Sequence, residues 1–403
     1  MNPTVLILVS DITTRTGGSA SLMDVAQTCF HLGFRVKIGI ANGRLRYLVK
    51  RVLRLSPSTP IGCRNVLTVP REYISEGQQP RFNLIGTLLR WMESRPRRFR
   101  GVLRQASLVV DGGLLTLDSI QRVRNETDSA ILLNHAGSPT AVAHAWSKIC
   151  RYPEKHKVID GYRKLCGASD TVLFQSPDQA DDFTALTGLS KRWASVLRPT
   201  TNEVNVLASN QQRSPYTHGR FVVVCVGSIQ PRKQQVHALE TFARVADDHP
   251  RTELHFVGGL SNTNYTKKLL EYIEDLKIAN RVFVHGHRND HLRFMAHADV
   301  LLQSSESEGV SRVLREAMLL RLPIVSYAIS GTAGTLEPDR DALLARPNDI
   351  DDLSRQLRRI IESDTLRHTV MNSAFKRYLL QHSYAKYACS LRDLVIELTN
   401  RTQ

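Results

Sequence analysis

The sequence predicts an α/β protein built of two doubly wound parallel sheets facing across a cleft. Short apolar strands alternate with helix-period segments along the whole chain, the pattern of parallel sheets joined by crossover helices. A polar stretch rich in Thr, Asn, Gln and Ser interrupts the alternation at 199–219, and the pattern restarts at Phe221 as an independent sheet would. The 403 residues suffice for two domains of ordinary size.

The elements follow in order. A strand over 4–10 leads through Gly17-Gly18 to a helix with Leu22, Val25, Ala26, Cys29 and Phe30 on one face, at helical spacing. Gly33 ends that helix and a strand covers 35–40. Further strands are expected over 107–111, 130–134 and 172–175, the last followed by Ser176-Pro177-Asp178, a strong helix start. After the break come strands over 221–226, 253–257, 282–285, 300–303 and 324–328, then a helical stretch from about 351 to the end. The expected division is a first domain at 1–200, a linker at 201–219, a second domain at 220–375 and a terminal helix at 376–403 that crosses back to the first.

Composition narrows the class. Hydrophobic residues make up 42% and charged residues 23%, the balance of a globular chain. No apolar run is long enough to span a bilayer, and Val5-Leu6-Ile7-Leu8-Val9 reads as a first strand rather than a signal peptide. The six cysteines have no paired spacing, so neither a zinc site nor a disulfide framework is expected, and a reduced cytoplasm is the default compartment. The net charge of +16 is concentrated: residues 35–104 hold sixteen Arg and Lys against three Glu. Arg90-Trp91-Met92 and Arg97-Arg98-Phe99-Arg100 mix bulky apolar groups with cations there. That surface suits an anionic membrane face, or an anionic acceptor, and equally a solvated basic face. Nucleic acid ranks below both, since no recognised nucleic-acid motif accompanies the charge.

Chemistry-bearing residues sit beyond strand ends, where ligands of such sheets bind. Gly227-Ser228-Ile229-Gln230-Pro231-Arg232-Lys233 follows the 221–226 strand, with two cations opening the next helix. Helix N–H groups beside cations make an anion site, and a plain strand-to-helix turn with two surface cations fits as well. Glu308 begins a helix and Glu316 stands eight residues on, about two turns away. Glu316 lies among Val313, Leu314, Ala317 and Met318, so it should be half buried and need a partner. Ribose hydroxyls would serve. A helix-start charge at Glu308 and an ion pair of Glu316 with Arg312 are the structural alternatives. His135 ends the 130–134 strand, as a sugar-contacting group or as a histidine bonded to backbone. Gly17-Gly18 is a weak motif that a turn explains. Asp339-Arg340-Asp341 is spaced like a metal-binding pair, but its place after Pro338 makes it a loop, and no metal is expected.

At these residues the chain resembles the retaining glycosyltransferases of family 4, which adopt the GT-B fold of two Rossmann-like domains. The resemblance is strongest from about Phe221 to Glu362. It rests on the Gly-Ser-Ile-Gln-Pro-Arg-Lys loop, the strand ending at Gly258, Glu308-x7-Glu316 with Ala317-Met318, and Leu322-Pro323-Ile324-Val325 leading to Gly331-Thr332. Gly17-Gly18, His135-Ala136-Gly137 and His382-Ser383-Tyr384 match more loosely.

The resemblance implies an enzyme that needs no cofactor or metal; the cysteines keep the cytoplasm as its default compartment, and the 35–104 charge offers a peripheral place at the inner membrane face as one of its readings. The enzyme would move a sugar from a nucleoside diphosphate sugar to a glycan or lipid-linked acceptor. Lys233 with Arg232 would bind the donor diphosphate, Glu316 the ribose, and Glu308 the donor sugar near the reacting carbon. His135 would meet the same sugar from the other domain. Gly17, Gly18 and Gly227 would allow close approach, Gly331 and Thr332 would line the sugar and phosphate pocket, and His285-Gly286-His287 would edge the base. There are departures: Ser228 replaces an arginine, Arg321 a helix-ending glycine, and Gly334 and Ala342 a glutamate and a glycine. A non-catalytic relative acting as an interaction protein and a basic nucleic-acid-binding protein are the alternatives.

Overall fold

The computed structural model describes residues 2–9, 17–40, 66–68, 96–111, 117–134, 155–190 and 193–401. The chain divides into two compact units, Met1–Arg198 with Tyr387–Gln403, and Pro199–Lys386. Each is organised on a parallel sheet whose two faces are covered by helices, so both are Rossmann-like.

The first unit carries β1 (Thr4–Val9), β2 (Arg35–Ile40), β3 (Val66–Thr68), β4 (Leu108–Asp111), β5 (Ala130–Asn134), β6 (Thr171–Phe174) and β7 (Ala194–Val196). They lie in the order β3-β2-β1-β4-β5-β6-β7. β1 shows why such a strand reads as one apolar run. Val5 and Ile7 pack into the core on one face, and Leu6 and Leu8 into the core on the other, because successive side chains alternate across a sheet buried on both sides. The helix Gly17–His31 buries Leu22, Val25, Ala26 and Cys29, while Phe30 at the edge of the expected stripe is exposed. The helix Pro177–Thr187 begins at Ser176, whose Oγ accepts from Gln179 N, and ends at Gly188 in the left-handed conformation. From the other end of the chain, the helix Tyr384–Asn400 supplies Tyr387, Leu391, Val395 and Leu398 to the core that holds Val5 and Ile7.

The second unit carries β8 (Phe221–Val226), β9 (Thr252–Val257), β10 (Val282–Val284), β11 (Val300–Gln303), β12 (Ile324–Tyr327) and β13 (Leu343–Ala345). Their order is β10-β9-β8-β11-β12-β13, all parallel. The chain runs outward from β8 to β9 and β10, then returns to set β11 on the other side of β8. The β8–β11 boundary is therefore the switch point, where crossovers diverge and leave a crevice at the carboxyl ends.

The polar stretch at 201–219 is structured rather than an open linker. It forms the helix Glu203–Ala208, capped by Asn202, whose Val206 is fully buried in the second unit's core. Tyr216 anchors the rest, donating from its hydroxyl to Phe294 O at 2.7 Å. Burying one Val is worth about 1.5–3 kcal/mol, enough for a single apolar anchor to hold a mostly polar segment. The terminal region also parts differently. The helix Asp364–Gln381 belongs to the second unit, and the handover comes between Lys386 and Tyr387. Among the described residues no helix is long and apolar enough to cross a membrane. Cys29, Cys166, Cys225 and Cys389 are free thiols.

Candidate functional site

The switch point of the second sheet gathers the charged residues singled out in the sequence. β8 ends at Val226, and Gly227 follows with φ 150°. A Cβ at Gly227 would meet Lys233 Cε at 3.4 Å, and one at Gly258 would fall 1.9 Å from Gly227 O. The end of β9 thus packs backbone to backbone on the β8 turn, and only glycine fits at 258. Pro231–Lys233 is one 3-10 turn, and Gln234 takes φ 46° before the helix Gln235–Ala246 begins. Arg232 and Lys233 therefore stand on a separate turn ahead of the helix, not in its first turn as expected. The buried Gln235 braces that turn: its amide donates to Ser228 O at 3.0 Å, and its carbonyl accepts from Gln230 N at 3.4 Å.

The loop after β11 is tied to this turn. Ser304 Oγ donates to Gln234 O at 2.8 Å and Lys233 O at 3.1 Å, and Glu306 N donates to Arg232 O at 3.0 Å. Glu308 then lies against both cations. Lys233 Nζ donates to its Oε1, Arg232 Nη1 stands 3.4 Å from Oε2, and Ser305 Oγ donates to Oε1 at 2.8 Å. Arg232 also donates to Ser307 O at 2.6 Å. Burial pushes the Glu308 carboxyl up, but Lys233, then Arg232 and the Ser305 hydroxyl, outweigh it and hold its pKa below the usual carboxylate range. Two cations facing one carboxylate leave the cluster with an excess positive charge, an electrostatic setting for an anion.

Glu316 projects from the helix Arg312–Leu320 and is buried, its side chain 5% exposed. Its partner is not Arg312. His291 Nε2, at the start of the helix His291–Ala296, stands 3.2 Å from Glu316 Oε2. Gly331 is buried for a contact reason: a Cβ there would fall 1.8 Å from Gly309 O and 2.6 Å from Glu308 O. It therefore sets how the Glu308 loop lies. Thr332 is fully buried, and its hydroxyl has no hydrogen-bond partner among the described residues.

His285 and His287 fall on the loop between β10 and His291. His287 is exposed. His285 belongs to a polar cluster that the sequence reading missed. His255 Nδ1 lies 2.9 Å from His285 Nε2, and His255 Nε2 lies 3.4 Å from Glu253, which Arg220 holds at 3.3 Å. Tyr216 and Phe283 cover the His255 ring. Burial, with His285 beside it, depresses the His255 pKa to about 4. Glu253 and His255 two apart in a buried strand were the available signal, since a buried polar pair on one face needs partners. Ser305, Gln235 and His291 had no signal in the sequence, because each acts through a neighbour distant along the chain.

The other expected positions divide. His135 and most of the basic 35–104 segment lie outside the described residues. Gly17 and Gly18 open the helix after β1, in the first unit. Asp341 is buried and taken by Arg377 and by Ser373 Oγ at 2.6 Å, while Asp339 pairs with Arg359 at 2.8 Å, so the Asp-x-Asp serves as a structural knot. Arg321 takes the left-handed position of the glycine it replaces, φ 54°. It is held there by a stack over Phe375 at 4.1 Å and a bond to Asn372 at 3.0 Å.

Comparison with known proteins assigns this arrangement to a class. Residues 208–377 match the family described as Glycosyl transferases group 1. A crystal structure of Anabaena HepE in complex with UDP and glucose superposes with a TM-score of 0.72, covering 98% of this chain and 100% of that one at 18% identity. That likeness shows the fold, so the two Rossmann-like units have the GT-B architecture. An exopolysaccharide phosphotransferase of Streptomyces coelicolor is 24% identical over 338 residues, 80% of this chain and 32% of that protein. An uncharacterized glycosyltransferase of Methanocaldococcus jannaschii is 30% identical over 220 residues, 53% of this chain and 51% of its own length. The chain thus spans between a third and about half of the length of these curated relatives, and it carries a glycosyl transferases group 1 domain in its second unit.

Proposed function

We propose that the protein is a retaining, metal-independent glycosyltransferase that moves a sugar from a nucleoside diphosphate sugar to a growing glycan or lipid-linked acceptor. The observation that carries this reading is the Arg232–Lys233–Glu308 cluster at the switch point, with Glu316 on the helix that follows. Arg232 and Lys233 hold the diphosphate, whose arrival replaces Glu308 as the Lys233 counter-charge. Glu308 is then released toward the sugar, and Glu316 takes the ribose hydroxyls. His135 contacts the same sugar. The bond from the anomeric carbon to the diphosphate oxygen breaks as the acceptor oxygen bonds to the same face of that carbon. The acceptor proton passes to the departing diphosphate. The two cations stabilise the charge that develops on the leaving group, the task a divalent ion performs elsewhere. UDP-sugars are the first donors to test, because the HepE complex holds UDP. The exopolysaccharide relative supports a glycan acceptor, and the basic 35–104 segment supports one presented at an anionic membrane surface.

The test is transfer from a panel of nucleotide-sugars in chelator, with the product anomer read by NMR. Transfer with retained configuration is expected, and Lys233→Ala and Glu316→Gln should each abolish it. A fully active double variant refutes the assignment, an inverted product refutes retention, and an absolute need for added metal refutes metal independence. Sedimentation with neutral and anionic vesicles tests the surface; equal recovery in both removes it.

A further inference from the structure

Glu316 is a buried carboxylate whose hydrogen-bond partner among the described residues is one histidine, His291, at the end of the loop that follows β10. That loop is fixed on both sides of the site. Gly286 O accepts from Gly258 N at 2.9 Å, which ties the loop to the end of β9. Arg288 forms a two-pronged pair with Asp290 at 2.9 and 3.0 Å, immediately before His291. Arg293, two residues on, donates to Arg213 O at 2.7 Å. His291 is thus held in place and is not a loose surface side chain. A carboxylate only accepts, so His291 Nε2 carries the hydrogen. With Oε2 engaged in this way, the rotation of the carboxyl group is fixed and Oε1 is left as its acceptor.

We propose that His291 is a positioning residue for nucleotide recognition: it orients the Glu316 carboxylate so that the group reads the ribose hydroxyls of a nucleoside diphosphate. This rests on the donor reading above and deepens it. The loop from 285 to 291 then joins two tasks, since the residues expected to edge the base and the group that sets the ribose acceptor share one rigid segment. A histidine that only filled space here would leave the preference for a ribose over a deoxyribose unchanged.

The experiment uses the full chain and measures binding of UDP and of 2′-deoxy-UDP by calorimetry. The wild type should bind UDP about tenfold more tightly, the effect of one hydrogen bond to a charged group. His291→Ala should lower UDP affinity by about that factor and leave 2′-deoxy-UDP affinity nearly unchanged, so that the ratio approaches one. His291→Gln, whose amide can donate from nearly the same point, should restore most of the ratio. In a Glu316→Gln background, His291→Ala should add no further loss of discrimination; this arm with His291→Gln decides the matter if His291→Ala alone fails to fold. An undiminished ratio in His291→Ala, or losses that simply add in the double variant, overturns the positioning role while the donor reading stands. Wild-type protein that binds neither nucleotide overturns the donor reading, and this inference falls with it.

Discussion

The two sheets share a strand order through their sixth strand, yet the helices that follow their first strands begin differently. In the first unit the helix after β1 is long and opens directly with Gly17-Gly18. In the second unit the turn after β8 is a separate 3-10 piece carrying Arg232 and Lys233, tied with Gln234 by six polar contacts to the loop after β11. The shared order sets where a crevice opens; the chemistry depends on what each turn carries and how it is braced. The second unit also spends glycine differently. Gly258 and Gly331 are places where backbone meets backbone, whereas Gly101 in the first unit stands in open space.

The largest test of that contrast is Gly331→Ala or Gly258→Ala. A Cβ within 2 Å of a carbonyl oxygen forces the loops apart, and each should cost about 3 kcal/mol or more, read as a drop in the denaturant midpoint. Gly101→Ala, in the first unit's helix Pro96–Gln105, where a Cβ would meet nothing within 4 Å, should stay within about 1 kcal/mol of wild type. Equal losses at Gly101 and Gly331 would erase the distinction. Lys233→Ala comes next. It removes a donor-binding cation and leaves Glu308 short of its main partner, a change of the order of 2–5 kcal/mol in nucleotide binding, seen as the loss of a UDP-induced thermal shift.

A pH series sharpens the comparison further, because His255 belongs to the second unit alone. Its folded pKa of about 4 lies below the ordinary value of 6.5. The unfolded chain therefore binds the proton first as pH falls. The contribution of this histidine is complete above pH 6.5 and is lost as the pH drops toward 4, to a limit of about 3 kcal/mol. His255→Gln should flatten that part of the stability profile. The smallest effect is at Arg321. Arg321→Ala keeps the left-handed strain and loses the Phe375 stack and the Asn372 bond, a cost of about 1 kcal/mol. Arg321→Gly relieves the strain as it loses the contacts, and should fall within about 0.5 kcal/mol of wild type on chemical denaturation.

Much of this was legible in the linear chain. The strands over 35–40, 130–134, 221–226 and 300–303 were read with the bounds the structure has, because strands buried on both faces are unbroken apolar runs between turn residues. Of the four described three-residue strands only β10 was read, one residue too long; β3, β7 and β13 were not, since a run that short has little period to detect. Val206 and Tyr216 show the opposite failure. Two anchors in a polar stretch do not change its composition, yet they fold it onto the second unit.

Local sequence determined the α/β class, the turn chemistry beyond β8 and β11, and the identity of the cations and carboxylates there. Those depend on side-chain type and on spacing within a few residues, which physical periodicity exposes directly. Tertiary structure alone decided the pairings: Lys233 with Glu308, Glu316 with His291 rather than Arg312, and His255 with His285. Each joins residues 25 or more positions apart, and contacts at that range arise from strand order and crossover packing, which no local pattern encodes.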